Sequence, residues 1–187
     1  MLDAFADLLR PQPGEPLLDV GCGDGFYLGS LAARSGAEAW GVDLSVPAIQ
    51  AAARRYPECQ WQVANADRAL PYRTGAFGAV MSITARLHAT DFRRVLRDAG
   101  RLLVAVPAPD DLVELRGFGK DRTHRVTEAL AQDFTVQARR RVTTTQDLDA
   151  DAVRDVQLAI YRPLQAEAPT AMQLTFSLDV LLLRVRG

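Results

Sequence analysis

The stretch Leu17-Leu18-Asp19-Val20-Gly21-Cys22-Gly23-Asp24-Gly25 decides the fold. A short apolar run, broken only by Asp19, leads directly into glycines at alternate positions. Such a run reads as a buried parallel strand entering a tight turn. Alternate glycines let the backbone bend sharply and let a ligand approach without Cβ clashes. Leu28, Leu31 and Ala32 then share one face, which predicts a helix over residues 26–35. The turn therefore opens a helix, whose first N–H groups face whatever lies above it.

Working outward, strands are predicted over residues 37–42, 59–64, 77–83 and 102–106, the last ended by Pro107. Helices are predicted between them over 45–56 and 90–97. Ser45 suits the N-cap of the first of these, and Pro47 falls in its opening turn, where a missing N–H costs little. Upstream, Leu2, Phe5, Leu8 and Leu9 give residues 1–10 an apolar helical face that stops at Pro11. Downstream, residues 134–144 alternate as a half-wet strand does, 149–161 read as a helix before Pro163, and 172–186 contain a long strand. Alternating strands and helices imply right-handed crossovers and a parallel sheet covered on both faces. The expected fold is α/β: a doubly wound, Rossmann-like, three-layer α/β/α domain. Its seven-stranded mixed sheet is mostly parallel, with the last strand reversed. One domain is expected over residues 1–187, with 1–15 as N-terminal helix and connector.

The loop chemistry narrows the ligand. A dinucleotide fingerprint needs a glycine at position 26, which is Phe26. Asp19 and Asp24 would repel a diphosphate but suit a sulfonium cation that also carries an ammonium group. Asp43 ends the second strand, where a carboxylate can accept from both ribose hydroxyls. Asp67, in Asn65-Ala66-Asp67, follows the third strand and can accept from an adenine amino group, while the Ala66 N–H can donate to a ring nitrogen. The pattern favours a cationic adenosyl cofactor over NAD.

Composition excludes other classes. The apolar fraction of 48% supports a real core, and a net charge of −1 with 24% charged residues argues against disorder. It also gives no global drive toward polyphosphates. Lys120 is the only lysine; arginine suits bidentate contacts with carboxylate and phosphate, but genomic composition is the favoured reading of the bias. Two cysteines, Cys22 and Cys59, make neither a disulfide framework nor a zinc knuckle, so no metal is expected. Asp3 and Asp7 are unlike the basic start of a signal peptide, and no apolar run is long enough to span a bilayer. A soluble, cytoplasmic protein with no membrane partner is expected.

Taken together, these segments resemble the class I S-adenosylmethionine-dependent methyltransferases. The glycine loop, Asp43, Asp67, Leu70-Pro71-Tyr72 and Phe77-Gly78-Ala79-Val80 fall in that family's order. Residues 94–103 resemble its late turn-and-strand motif, with Asp98-Ala99 where Pro-Gly is usual. Residues 48–57, 107–117 and 173–183 are further similar to the bacterial guanine-N1 methyltransferases of large-subunit ribosomal RNA. The resemblance implies S-adenosyl-L-methionine as cofactor, held by Asp19, Gly21, Cys22, Gly23, Asp24, Gly25, Asp43, Leu44, Asn65, Ala66, Asp67 and Thr84. That family carries a four-ligand zinc module which two scattered cysteines cannot rebuild. Thr84-Ala85-Arg86 stands where it shows Tyr-Ala-Pro, and Asp111 where it has a histidine.

The acceptor is the open question. Removing a proton from guanine N1 calls for a base within hydrogen-bond reach. His88, His124, Asp111 and Glu114 are candidates, but only Asp111 and Glu114 follow a strand end that must face the cofactor. Their alternative role is support of a short helix. His88 is expected before a helix, and His124 in a basic loop with Arg122 and Arg125. Two basic clusters, Arg116/Lys120/Arg122/Arg125 and residues 139–141, could meet RNA, with no interleaved aromatic residues expected to stack bases. Three functions stay open: a methyltransferase for guanine N1 of ribosomal RNA, a cofactor-binding relative without transfer activity, and a small-molecule methyltransferase. The sequence leaves oligomeric state undetermined.

Overall fold

A computed structural model describes residues 1–66, 68–160 and 168–186. The elements run α1 (Leu2–Leu9), β1 (Pro16–Val20), α2 (Phe26–Ser35), β2 (Glu38–Asp43), α3 (Val46–Arg55), β3 (Gln60–Val63), β4 (Phe77–Ile83), α4 (Ala89–Val95), β5 (Leu96–Pro107), α5 (Val113–Arg116), α6 (Thr123–Leu130), β6 (Phe134–Leu148), α7 (Ala150–Ala159) and β7 (Met172–Val185). The strands form one seven-stranded sheet in the order β3-β2-β1-β4-β5-β7-β6. β1 to β5 pair in parallel, and β7 inserts antiparallel between β5 and β6. The expected doubly wound α/β sheet with a reversed last strand is the observed one.

Local chemistry sets most boundaries. The Ser45 hydroxyl accepts from the Ala48 N–H to cap α3, and the Asp149 carboxylate accepts from the Ala152 N–H to cap α7. Gly36 ends α2 in the left-handed conformation (φ 71°), where a Cβ is costly. Every residue of β4 is buried, as a central parallel strand requires.

Burial then divides the core between the two faces of the sheet. On one face, Phe92 of α4 and Val126 and Leu130 of α6 pack on Leu18, Val80, Leu102 and Val104. On the other, Phe5 and Leu9 of α1 and Leu28 and Leu31 of α2 pack on Leu17, Ala79, Met81 and Leu103. A third cluster, Leu112, Val153 and Leu174, lies where the β6–β7 ribbon runs past the end of β5. Arg101 ties the connector after α1 to β5 by an ion pair to Glu15 at 2.5 Å.

Three expectations needed correction. The tail strand β6 is longer than residues 134–144, because it pairs with β7 along its whole length, out to Leu148–Met172. Residues 122–125 are not a loop: α6 covers Thr123–Leu130, with His124 beside Glu128 at 3.2 Å. Val126 and Leu130, one turn apart, give it an apolar face that the surrounding charges obscured. β5 begins at Leu96 rather than 102, its pairing with β4 shifting register between Phe77 and Ala79. The expected end of α7 at Tyr161 lies outside the described residues.

Within that irregular start of β5, Ala99 takes φ 57°. A left-handed non-glycine residue costs roughly 1–2 kcal/mol. Ala99→Gly should therefore stabilise the fold by about 0.5–1 kcal/mol, once the added freedom of the unfolded chain is offset. A thermal melt should show a midpoint a few degrees higher; a lower midpoint would contradict the strain.

Candidate functional site

The strand order reverses between β1 and β4, and the carboxyl ends of β1, β2 and β4 meet there. Open α/β sheets bind ligands at such a point. The glycine loop sits on it. The N–H groups of Gly21 and Cys22 both donate to the Val42 carbonyl, at 2.8 and 3.2 Å, stitching the loop to β2.

The three loop glycines, all at positive φ, serve different ends. A Cβ on Gly21 would strike the Ala85 side chain at 2.5 Å, and one on Gly25 would collide with the Trp61 indole. A Cβ on Gly23 would meet nothing within 4 Å. The first two glycines are therefore packing requirements, whereas Gly23 opens to space.

Asp43 is part of the loop's framework. One carboxylate oxygen accepts from the Gly23 N–H at 2.9 Å and the other from the Ser45 N–H at 2.8 Å. Each oxygen keeps a second lone pair for a ligand hydroxyl. Leu44, next in sequence, is 66% exposed and gives an apolar surface beside that carboxylate. Asp19 is buried at the end of β1, and its Oδ1 has no hydrogen-bond partner among the described residues. Burial first, and the nearby Asp43 charge second, push its pKa up to about 8. Cys22 is buried in the loop, and burial followed by the Asp19 charge pushes its thiol up as well. A buried carboxyl with an oxygen unpartnered among the described residues, just before an open glycine loop and with the Asp43 carboxylate near it, fits a cationic ligand bearing a sugar.

The other expected site residues are placed as follows. Asp24 is exposed, accepts from the Phe26 N–H at 3.3 Å and pairs with Arg55 at 3.4 Å, so its carboxylate steadies the start of α2. Asn65 is exposed and Ala66 half-buried, just after β3, with the Ala64 N–H tied to the Asp43 carbonyl at 3.0 Å. Asp67 lies outside the described residues. Thr84 is exposed at the end of β4 and held at φ 54° by its N–H bond to the Ala105 carbonyl at 2.8 Å. Left-handed backbone is rare for a β-branched residue, and such strain gathers at functional sites.

Asp111 and Glu114 are drawn to β7. Asp111 accepts from the Ser177 N–H at 2.9 Å and from Arg116 at 2.5 Å. Glu114 accepts from the Thr175 N–H at 3.0 Å and hydroxyl at 2.6 Å. Burial raises the Asp111 pKa against these donors; for Glu114 burial acts upward, but the two Thr175 bonds outweigh it and lower the pKa. Both carboxylates thus tether the segment after β5, a duty their spacing does not advertise.

Two features escaped the sequence reading. Asp91 of α4 accepts from the Leu70 N–H and from Arg94 Nε at 2.6 Å, and Arg94 donates on to the carbonyls of Tyr72 and Leu70 at 2.6 and 2.9 Å. This pair pins residues 70–72; its only signal is a carboxylate three residues before a guanidinium. The second is Phe118, which is 81% exposed inside the Arg116–Arg125 cluster and corrects the expectation that no aromatic residue interrupts it. His88 stands at the N-terminal boundary of α4 without a side-chain capping bond, its Nδ1 buried without a partner among the described residues. No group of His, Cys, Asp and Glu among the described residues could hold a metal, and no described helix is long and apolar enough to cross a membrane.

The two kinds of glycine separate by mutation. Gly25→Ala should cost at least about 2 kcal/mol, from overpacking on Trp61 added to left-handed strain. Gly23→Ala should cost only about 1 kcal/mol, from strain alone. Urea unfolding checks the order; equal losses would mean that Gly25 is not held by packing.

Comparison with known proteins agrees with this geometry. Residues 17–105, from β1 into β5, match the methyltransferase domain family. A 23S rRNA (guanine(748)-N(1))-methyltransferase of Streptomyces fradiae is 35% identical over 144 residues, covering 73% of this chain and 51% of that protein. A Bacillus subtilis protein provisionally named as a 23S rRNA (guanine-N(1)-)-methyltransferase is 35% identical over 148 residues, covering 73% and 52%. The chain thus spans about half the length of these curated relatives. A solved Bacillus halodurans structure, provisionally titled a methyltransferase, superposes with a TM-score of 0.68 at 14% identity, covering 98% of this chain and 97% of that one. That structure shares the fold, and the sequence matches carry the family: the chain belongs to the class I S-adenosylmethionine-dependent methyltransferases.

Proposed function

We propose that this chain binds S-adenosyl-L-methionine over Gly21–Gly25 and directs methyl transfer to guanine N1 of ribosomal RNA. The observation that carries the cofactor half is the buried Asp19 carboxyl, unpartnered at Oδ1 among the described residues, in the strand that leads into the loop of Gly23, where a Cβ would meet nothing within 4 Å. The acceptor half rests on relatives 35% identical that bear that activity in their names.

When bound, the cofactor supplies an electrophilic methyl group on a sulfonium centre. The protein's task is alignment and exclusion of water. In this reading Asp43 accepts from the ribose hydroxyls while its backbone bonds hold the loop open, and Leu44 gives the adenine an apolar seat. Asn65, Ala66 and Asp67 supply the adenine-edge contacts, the Asp91–Arg94 pair fixing the neighbouring residues 70–72. Asp19 faces the cofactor's positive charge, with Cys22 and Asp24 shaping and steadying the loop. Thr84, strained at the end of β4, borders the reacting centre. Asp111 and Glu114 tether the segment after β5 through Thr175, Ser177 and Arg116, and the lone pair left on each of their oxygens keeps them available to take the guanine N1 proton as the methyl group moves from sulfur to nitrogen. A cytoplasmic site of action follows from a ribosomal acceptor.

The test pairs radiolabelled methyl transfer with calorimetric binding of the cofactor. Label should enter ribosomal RNA at guanine N1. Cofactor binding without transfer would leave a binding protein, and label entering only small molecules would move the acceptor to another class.

The cofactor site also predicts a pH dependence. Asp19 holds its proton below about pH 8, whereas an unfolded or solvated carboxyl releases it near 3.8. A cation beside it favours the ionised form, so binding expels the proton. Affinity should rise between pH 6 and 8 and then level, and the heat should track the ionisation enthalpy of the buffer. Asp19→Asn should flatten the profile. A wild-type affinity that falls or stays constant across that range would contradict the assignment.

A further inference from the structure

Phe118 is 81% exposed, an unusual position for the largest apolar side chain of its loop. It lies in Arg116-Gly117-Phe118-Gly119-Lys120-Asp121-Arg122, after the carboxyl end of β5. The backbone on either side is fixed. The Gly117 N–H donates to the Val113 carbonyl at 2.8 Å, and the Gly119 N–H donates to the Pro109 carbonyl at 2.6 Å. Gly117 takes φ 67°, and a Cβ there would meet nothing within 4 Å. On Gly119 a Cβ would meet only Pro109, at 3.6 Å. The ring is therefore offered to solvent on a pinned loop with glycine-sized neighbours, which leaves room for a flat group against it.

The exposed charges that follow the ring in sequence favour an anionic partner. Lys120, Arg122 and Arg125 are exposed, while Asp121 is engaged by Arg139 at 3.2 Å and by the hydroxyl and N–H of Thr123, both at 2.7 Å. Arg116 is held back by Asp111. An aromatic face among cations is how proteins grip single strands, because any base can stack while phosphates meet the positive charge.

We propose that Phe118 is a base-stacking platform for the single-stranded RNA around the methylated nucleotide, with Lys120, Arg122 and Arg125 contacting the flanking phosphates. The inference rests on the ribosomal RNA reading above and deepens it.

The probes are an RNA hairpin with a guanine in its unpaired loop and a fully paired duplex of equal length, followed by fluorescence anisotropy and by methyl transfer. The wild type should prefer the hairpin. Phe118→Ala should weaken hairpin binding by about 5- to 100-fold. It should raise the KM for RNA, with cofactor binding unchanged. Phe118→Tyr and Phe118→Trp should restore affinity and Phe118→Leu should not, since stacking needs a ring rather than apolar bulk. If the wild type methylates RNA but Phe118→Ala binds the hairpin equally well, the platform is refuted and the ribosomal reading stands. If the wild type binds the cofactor but neither binds nor methylates RNA, both fall together.

Discussion

A carboxyl group buried without a full set of partners is the constraint around which this molecule is arranged. Asp19 stands opposite Gly41 of β2 and Met81 of β4 in the sheet, so its surroundings are strands rather than water. An ionised carboxylate there would carry a large desolvation cost, and Asp43 nearby makes the charge less welcome still. The fold tolerates the group neutral. A cation placed over it would convert that cost into attraction, the role proposed for an acidic residue in a strand whose other members are apolar.

The surrounding architecture keeps this position usable. β2 holds the loop through the Val42 carbonyl and the Asp43 carboxylate, so the strand that carries the proposed sugar acceptor also shapes the bend. Trp61 of β3 fills the space beside Gly25 and Ala85 fills that beside Gly21, which leaves only the Gly23 side open. Away from the loop, the Asp91–Arg94 pair fixes residues 70–72, and the tethers to β7 fix the segment after β5. One half of the site is thus rigid through sheet hydrogen bonds and the other through side-chain ties.

How much of this was legible follows from the range of the forces involved. α2 and β4 stand where apolar period and glycine punctuation placed them, since those signals are local. Capping by Ser45 was readable for the same reason. The length of β6 was not, because it depends on pairing with β7 across the intervening α7. The bonds that Asp111 and Glu114 make were not legible either, because their partners, Ser177 and Thr175, lie more than sixty residues away. Phe118 was overlooked because its exposure, not its identity, sets it apart. A phenylalanine between glycines is ordinary in sequence and conspicuous only once the loop is pinned with the ring outward.

The most direct measurement is a crystal structure of the chain soaked with S-adenosyl-L-methionine. Its ribose should lie against Asp43, its adenine beside Leu44 and Ala66, and its charged end above Asp19 and Gly23. A cofactor lodged elsewhere, or a different nucleotide in that seat, would contradict the central assignment.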